Sequence, residues 1–563
     1  MNFFNVDTTT KGSVETTSPL YHQKKRRLSI AVANAIRFGF CSALLVTSAN
    51  SHAIDNGTNN NDINNSGDNQ ASSFAYHSWG TTDPKELNLP SLRGQGLSFD
   101  EQYQNTLLGE WSLRNVNARV KMEHDPWIQE TLKDMTWRLN AQARQQAPMG
   151  LVIIDNPSIN AFAAPGGVIG INTGTILAAK SMDEIASVVA HEVAHISQNH
   201  YESGAGERRK AMLMQLGGML AAIAASTIDG DAAAAVMMGS QTATMNSSMA
   251  FSRSNEREAD RVGMQIMTQA GYDPRAMPRF FATMNQQRQL NQVENQFLPS
   301  FVQSHPLSNE RLSEAQSRAQ NYPSLSLKQQ QRYQTLFDLL YWRVKITGKH
   351  ASETELTTAA KNSVGAKLAL MHWYGEQQRF QDANEMLASI NTLPASQRQA
   401  LEPLLSITQS QLLSEQDKWT EAADILEGQQ RLYPERRDLR LYLAEALTNS
   451  NEPMKAQALL KPLTQQQPSD RYAWQSLQLA NEKLAKTTTS PELASIATIN
   501  ALRYRSHDQL WSGRYERALT SLTQAKQLAE NLQNTPQANS ARPLLANINA
   551  ELKAIKTAKD FEP

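Results

Sequence analysis

Apolar residues between positions 181 and 195 recur at the spacing of an α-helix. Ile185, Val188 and Val189 fall on one face of such a helix. Ser181 stands just before this run, and Glu184 follows it by three residues, which is the pattern of an N-terminal capping box. The pattern therefore predicts a buried helix that begins directly after Ser181.

Two short apolar runs ahead of this helix are typical of β-strands. One run is Leu151–Ile154, and the other follows a Pro-Gly-Gly break at residues 165–167. Because glycines in the second run have no side chains, an extended substrate can approach the main chain there. The alternative is an ordinary sheet strand that binds nothing. We predict an edge strand for substrate pairing that contains Gly167, Val168, Ile169 and Gly170.

After about residue 325, helical patterns replace the strand and turn signals. Ala422 and Ala456 are 34 positions apart, although the spacing slips elsewhere, since Ala383 and Ala422 are 39 positions apart. Residues 365–535 resemble tetratricopeptide repeats. Such helix pairs stack into an α-solenoid whose concave face binds extended peptides or partner proteins. The alternative is plain helical packing without a ligand groove.

The N-terminus has the features of an export signal. A basic stretch at residues 24–27 and Arg37 precede the short apolar run Phe38–Val46, and small residues follow up to Ala53. A membrane anchor needs about 20 apolar residues, roughly twice the length of this run. We predict a signal peptide at residues 1–53 and a flexible polar linker at residues 54–75. The sequence has a single cysteine, Cys41, which excludes a framework of intramolecular disulfides. Cys41 lies in the segment to be removed.

Length and composition favour a multidomain globular protein. The 563 residues carry 54 basic and 54 acidic side chains, and 40% of the residues are apolar. This balance gives no indication of a nucleic-acid partner and disfavours a polytopic membrane protein. We predict a mainly α fold with a small β-sheet, in which a domain at residues 76–325 holds the sheet and the α-solenoid occupies residues 326–563.

The strongest chemical signal is the sequence His191-Glu192-Val193-Ala194-His195 on the predicted helix. His191 and His195 share one face, so both imidazoles can bind a single metal ion. Glu192 lies beside the open metal position, where it can take a proton from water and pass it to a leaving amine. The pattern predicts a metal-dependent peptidase. The alternative is two surface histidines beside a solvated glutamate, which the apolar helix and a suitable third ligand downstream disfavour.

A third metal ligand is expected on a helical segment downstream. Glu256 and Asp260 are four residues apart there, so Glu256 can bind the metal while Asp260 accepts the outer N–H of a metal-bound histidine. Spacing alone leaves Glu258 open as the ligand; otherwise we expect it to be solvated. His200 is one residue out of the metzincin register, and we interpret it as a helix-end histidine.

Between the two metal motifs lies a stretch rich in methionine and alanine, residues 212–249. Its apolar part is too short, and too rich in alanine and glycine, for a transmembrane helix. We predict a helical hairpin that packs near the active site. The alternative is a lid that touches a membrane surface or an unfolded client, since methionine suits adaptable apolar contacts.

The paired motifs resemble the M48 family of gluzincin metallopeptidases over residues 85–320. The likeness is carried by Glu-x-x-Ala-Asp at residues 256–260, downstream of His-Glu-Val-Ala-His, and by residues 160–169 ahead of it. The resemblance implies one Zn²⁺ per chain, held by His191, His195 and Glu256. It also implies that Glu192 is catalytic and that Asp260 supports a ligand. A His/His/Glu ligand set is likewise suited to zinc.

The segment Ser304–Arg311 resembles a His-Pro-x-x-x-x-Arg element of the exported, repeat-bearing branch of this family. In that branch the histidine can occupy the open zinc position and hold the enzyme latent. The resemblance implies that His305 is a fourth ligand or latency switch and that Arg311 supports the site. The residues alone favour an ordinary turn histidine before a proline.

The resemblance to this branch also implies a periplasmic metalloendopeptidase with chaperone-like activity. Its substrates would be misfolded or stalled outer-membrane β-barrel proteins, and it would assist the assembly of productive ones. The implied partners are the barrel-assembly machinery and the lipopolysaccharide-transport barrel, with peripheral membrane contact left open. The alternative is a tetratricopeptide chaperone or adaptor with a mainly structural metal site. Glu192 discriminates between the two, because a structural site needs no general base.

Overall fold

A computed structural model describes residues 99–143, 150–164, 166–198, 200, 253–293, 305–533 and 538–563. The predicted signal peptide and linker, Pro165 and the methionine-rich segment at residues 212–249 lie outside the described residues. All described helices and strands belong to one unit. Within these ranges, no helix combines the length and the apolar character needed to span a bilayer.

The first part of the described chain combines helices with one small sheet. Asp125 caps the second helix, because its side chain accepts a hydrogen bond from the Ile128 amide and Pro126 opens the first turn. Numbered in chain order, the elements are α1 (Phe99–Arg119), α2 (Pro126–Gln142), β1 (Gly150–Ile154), β2 (Ala161–Ala164), β3 (Val168–Asn172), α3 (Thr173–Ala178), α4 (Met182–Ser197), α5 (Arg253–Gln269), α6 (Ala276–Val293) and α7 (Asn309–Ala319).

β3 is the central strand of the sheet, because the strand order is β1-β3-β2. It pairs in parallel with β1 and antiparallel with β2. The prediction of an edge strand at Gly167–Gly170 is therefore wrong, since β3 is already paired on both sides. Position 170 requires glycine for a different reason, since a Cβ there would lie 2.3 Å from the Phe162 ring of β2. Gly167 lies in the turn between β2 and β3, with φ of +82°.

α4 is the helix that the apolar pattern predicts. Ser181 caps it, since the Ser181 hydroxyl oxygen accepts a hydrogen bond of 3.2 Å from the Glu184 amide. The Glu184 carboxylate accepts a hydrogen bond of 2.8 Å from the Lys180 amide rather than from Ser181, so only half of the predicted capping box forms. The predicted apolar stripe at residues 185, 188 and 189 is buried, as are all residues of α4 from Met182 to His195, which confirms the prediction of a buried helix.

α5 approaches the main chain of α4 closely. A Cβ on Gly263 of α5 would lie 3.1 Å from both the Ala190 carbonyl oxygen and the His191 amide nitrogen. A larger residue at this point would require the two helices to move apart. The contact holds α5 against the stretch of α4 that contains His191.

The chain from residue 327 onwards is helical in its described part, as predicted, and consecutive helices pack on one another. The alanines of the repeat pattern at positions 383, 422, 456 and 518 are fully buried between helices. The elements are α8 (Leu327–Thr347), α9 (Glu353–Ala359), α10 (Val364–Glu376), α11 (Phe380–Asn391), α12 (Ala395–Gln399), α13 (Leu404–Ser414), α14 (Trp419–Leu432), α15 (Arg437–Asn449), α16 (Pro453–Gln466), α17 (Arg471–Thr487), α18 (Pro491–Trp511), α19 (Tyr515–Gln533) and α20 (Ala538–Asp560).

A buried charged cluster joins the first part of the chain to the later helices. Arg343 of α8 donates to Asp125, with a distance of 2.6 Å from Nη2 and 3.0 Å from Nε to Oδ2. The Tyr442 hydroxyl of α15 donates to the same oxygen at 2.8 Å. Arg343 also donates to Gln411 of α13 at 3.0 Å. The residue that caps α2 therefore also anchors two of the C-terminal helices, α8 and α15, and Arg343 links α13 to the same cluster.

Candidate active site

Four buried side chains converge on one point between α4, α5 and the segment that precedes α7. They are His191, His195, Glu256 and His305, and one donor atom from each lies within 4.8 Å of the others. The Nε2 atoms of His191 and His195 are 3.1 Å apart, and His305 Nδ1 is 3.2 Å from His191 Nε2. Glu256 Oε1 lies 3.0 Å from His305 Nδ1 and 3.4 Å from His195 Nε2.

This donor set fits a metal ion. A tetrahedral ion with metal–nitrogen distances of about 2.0–2.1 Å holds its ligand atoms about 3.3–3.4 Å apart. Five of the six residue pairs here have donor atoms 3.0–3.6 Å apart, and all four donors lie within 4.8 Å of one another. Burial lowers the pKa of His195 well below its usual value, which keeps the imidazole in the neutral form that binds metals. Burial acts to raise the pKa of Glu256, but the neighbouring His305 and His195 hold it well below its usual value.

Glu192 lies beside this cluster rather than within it. Its side chain is fully buried, and Oε1 is 3.5 Å from Nε2 of His305. Burial raises the pKa of Glu192, and the amide of Ala163 on β2 faces the carboxylate and opposes that shift. A carboxylate in this position can exchange a proton with a water bound next to the cluster.

Asp260 and Arg311 surround the ligands on the side away from Glu192. Asp260 Oδ1 lies 3.1 Å from Nδ1 of His191, the ring nitrogen that points away from the donor cluster. Arg311 donates two hydrogen bonds of 2.8 Å to Asp260 and forms a salt bridge of 2.7 Å with Glu256. It also donates to the Pro306 carbonyl at 2.9 Å, next to His305. Arg311 therefore contacts two of the three segments that build the site, α5 and the segment that precedes α7.

His200 and Glu258 extend the site in a way that sequence reasoning missed. His200 Nδ1 lies 3.0 Å from Nδ1 of His195, and His200 Nε2 lies 3.2 Å from a Glu258 oxygen. His200 is thus more than a helix-end residue, and Glu258 is half-buried against it rather than solvated. The five-residue separation of His195 and His200 was the available signal, because the chain turns back at the end of α4 and brings the two rings together.

The sheet edge that faces the site is β2. The Asn172 amide donates to the Asn160 carbonyl at 2.9 Å, and antiparallel pairing then directs every second residue of β2 towards β3. The main-chain groups of Ala161 and Ala163 therefore point away from the sheet. Since the Ala163 amide faces Glu192, the outer edge of β2 runs past the catalytic candidate. The sequence pattern predicted Gly167–Gly170 for this place.

Comparison with known families and proteins agrees with this geometry. The model of peptidase family M48 matches residues 123–319, and a tetratricopeptide repeat model matches residues 413–480. The putative beta-barrel assembly-enhancing protease of Vibrio cholerae is 28% identical over 476 residues, which cover 80% of this chain and 89% of that protein.

Two further relatives cover different shares of the chain. The beta-barrel assembly-enhancing protease of Escherichia coli K12 is 25% identical over 78% of this chain and 86% of that protein. A mitochondrial metalloendopeptidase of Arabidopsis thaliana is 27% identical over 33% of this chain and 35% of that protein. The chain is therefore a metalloendopeptidase that combines an M48 peptidase domain with C-terminal tetratricopeptide repeats, and over most of its length it resembles the beta-barrel assembly-enhancing proteases.

Proposed function

We propose that the chain is a periplasmic zinc endopeptidase that degrades misfolded or stalled outer-membrane β-barrel proteins and assists the assembly of productive ones. The names of the relatives that match most of the chain support the role in barrel assembly. The observation that carries the catalytic part is the convergence of His191, His195 and Glu256, with the Glu192 carboxylate directly beside them.

We assign His191, His195 and Glu256 as the ligands of one Zn²⁺ per chain. Two neutral imidazoles and a carboxylate are the donor set of catalytic zinc sites that retain an open position. Zinc held there supplies Lewis-acid chemistry for the carbonyl of the scissile peptide bond and lowers the pKa of water. The protein's own part is to orient these ligands, and Asp260 does so through the outer nitrogen of His191, while Arg311 holds Asp260.

Glu192 acts as the general base and then as the general acid. Its carboxylate takes a proton from the attacking water as oxygen adds to the peptide carbonyl carbon. It gives that proton to the leaving nitrogen as the C–N bond breaks. The substrate lies extended along β2, where the outward amide and carbonyl groups of Ala161 and Ala163 are placed to pair with its main chain.

His305 is proposed to hold the enzyme latent. Its Nδ1 is the fourth donor of the cluster, so it occupies the position that a substrate carbonyl or water needs. Its Nε2 also faces Glu192 at 3.5 Å. Activation then requires His305 to move out of the site, and with it the segment that precedes α7.

The repeats supply the second function in this proposal. The domain boundary falls near residue 325, and the solenoid at residues 326–563 binds client proteins or the barrel-assembly machinery and the lipopolysaccharide-transport barrel. The signal peptide at residues 1–53 would direct the chain to the periplasm.

The replacement Glu192→Gln tests the catalytic assignment and separates it from a pure chaperone with a structural metal. We expect it to keep zinc and client assembly but to lose casein cleavage, because Gln cannot accept the proton. Glu310→Gln, which alters an exposed carboxylate on α7, is the matched control. Unchanged cleavage by Glu192→Gln would overturn the mechanism. Absence of zinc from the purified wild-type chain, measured per mole of protein, would overturn the ligand assignment.

A further inference from the structure

A second cavity lies at the opposite edge of the sheet from β2. It has a volume of about 90 Å³ and is lined by residues of α1, α2, β1, α15 and the start of α17. Its walls include Leu151 and Ile153 of β1, Lys133 and Trp137 of α2, and Arg471 and Tyr472 of α17. It therefore combines a strand edge, aromatic rings and cationic side chains from both the peptidase domain and the repeats.

The strand edge inside this cavity has main-chain groups available for pairing. The Glu123 amide donates to the Ile153 carbonyl at 2.8 Å, and the Asp155 amide donates to the Lys121 carbonyl at 2.8 Å. Odd-numbered residues of β1 therefore direct their main-chain groups away from β3. Among the described residues, no main-chain group pairs with the Ile153 amide or with the outward groups of Leu151. Another extended segment can add to β1 at this place.

The cationic side of the cavity carries a positive charge that is incompletely neutralised. Arg471 donates from Nη2 to the Ser512 hydroxyl at 3.2 Å, but its Nε is buried without a hydrogen-bond partner. Burial lowers the pKa of Arg471 to about 10, although Asp508 opposes this shift. Arg437, by contrast, is neutralised by two hydrogen bonds to Asp470.

The neighbouring histidine reports the same positive potential. Burial, together with the charges of Arg471 and Lys121, lowers the pKa of His124 to about 4. Lys133 adds a further ammonium group 5.8 Å from the centre of the Trp137 ring. Arg471 lines the cavity, and among the described residues no carboxylate forms a salt bridge with it, so an incoming carboxylate can pair with its guanidinium.

We propose that this cavity is a binding site for the C-terminus of an extended polypeptide, whose last residues pair with Leu151 and Ile153 and whose terminal carboxylate binds Arg471. The cavity volume suits a terminal group rather than a folded segment. The outward groups of Leu151 and the Ile153 amide, which no described main-chain group pairs with, distinguish a peptide from a free anion. The inference rests on the proposed function, because the peptide end would belong to a protein client. It gives that client a second contact, away from the metal centre.

The test is a binding experiment with the full chain carrying Glu192→Gln, so that peptides are not cleaved. Two fluorescein-labelled octapeptides of alternating threonine and valine are titrated, one with a free C-terminal carboxylate and one with a C-terminal amide. We expect the acid to bind at least about tenfold more tightly than the amide, because only the acid forms a charge-assisted hydrogen bond with Arg471. Fluorescence anisotropy gives both dissociation constants.

Arg471→Gln is expected to abolish the preference for the acid, whereas Arg517→Gln, which changes an exposed arginine of α19, is expected to retain it. Thermal unfolding midpoints check that both variants fold, and the comparison of acid and amide on the parent chain needs no variant. Equal binding of the two peptides, no binding of either, or a full acid preference in folded Arg471→Gln would each overturn the proposal. Failure of the proposed function would instead show as absent zinc-dependent casein cleavage by the wild type.

Discussion

Arg311 donates two hydrogen bonds of 2.8 Å to the carboxylate of Asp260, which itself lies 3.1 Å from Nδ1 of His191. Arg311 thus orients the carboxylate of Asp260, and this carboxylate orients the imidazole of His191. Asp260→Asn is expected to weaken zinc binding by about 10–100-fold, because an amide is a weaker acceptor for the imidazole N–H. Competition with a chromophoric chelator measures this affinity. Asp424→Asn, on the exposed face of α14, is the control, and equal affinities of Asp260→Asn and wild type would refute the prediction.

The contact between His200 and His195 predicts a similar effect on the second imidazole. His200→Phe removes both ring nitrogens while it keeps a planar side chain, and we expect the zinc affinity to fall by about tenfold. Glu258→Gln retains an oxygen that can face His200, so we expect a smaller loss. Zinc retained after dialysis against a chelator is the measurement. A His200→Phe protein that keeps its zinc as well as the wild type would show that this contact is incidental.

The outward direction of the Ala163 amide predicts how a proline affects catalysis. Ala163→Pro removes an N–H that does not pair with β3, so the sheet should persist. We expect kcat/KM for casein-derived peptides to fall by about tenfold or more, because the N–H that faces the Glu192 carboxylate and can pair with substrate is lost. Zinc content and the thermal midpoint should match those of the wild type. A normal kcat/KM in such a folded, zinc-loaded variant would show that the Ala163 amide takes no part in catalysis or substrate binding.

The position of His305 as fourth donor predicts a gain of activity. His305→Ala is expected to raise casein hydrolysis several-fold above the wild-type rate, because the open position is no longer filled by a side chain. His350→Ala, at an exposed histidine beyond α8, serves as the control. Proteolysis by His305→Ala that is no faster than that of the wild type would contradict the latency proposal.

Glu551 of α20 predicts a pH-dependent contribution to stability outside the active site. Although burial opposes it, the contacts with His507 and Arg503 lower the pKa of Glu551 to about 2. A lowered folded-state pKa stabilises the fold above the unfolded value near 4.5, and this stabilisation is lost as the pH falls from there towards 2. Glu551→Gln is therefore expected to cost about 2–3 kcal/mol near neutral pH and progressively less below about pH 4.5.

Calorimetric unfolding of wild type and Glu551→Gln across this pH range measures the effect. Glu530→Gln removes one partner of an exposed pair with Lys526 at 3.7 Å, and we expect it to change the midpoint little at any pH. A difference between Glu551→Gln and wild type that stays constant from neutral to acidic pH would exclude the proposed charge effect.

Local patterns predicted those features that depend on neighbours along the chain. The apolar stripe and Ser181 predicted α4, and the four-residue spacing placed His191 and His195 on one face. Spacing alone left Glu256 and Glu258 open as ligands, because both lie in the same turns of α5. The close approach at Gly263, which arises from packing between two helices, was outside the reach of such patterns.

The sheet shows why the remaining features escaped prediction. Strand order depends on contacts between residues that are distant along the chain, so nothing in the sequence of β3 distinguished a central strand from an edge strand. Gly170 was interpreted as access for a substrate, yet it makes room for the Phe162 ring on the neighbouring strand. The role of His200 was missed because only the metzincin spacing was considered for a third histidine. That spacing does not consider the turn after α4, which brings His200 next to His195.

The cluster of Asp125, Arg343 and Tyr442 has a consequence for the way a long client is cut. Sliding the C-terminal helices over α2 would leave a carboxylate and a guanidinium buried without partners, at a cost of about 3–5 kcal/mol. The repeats and the metal centre are therefore held at a constant separation. If the repeats bind a client as proposed, this separation limits how few client residues can lie between the bound segment and the hydrolysed bond.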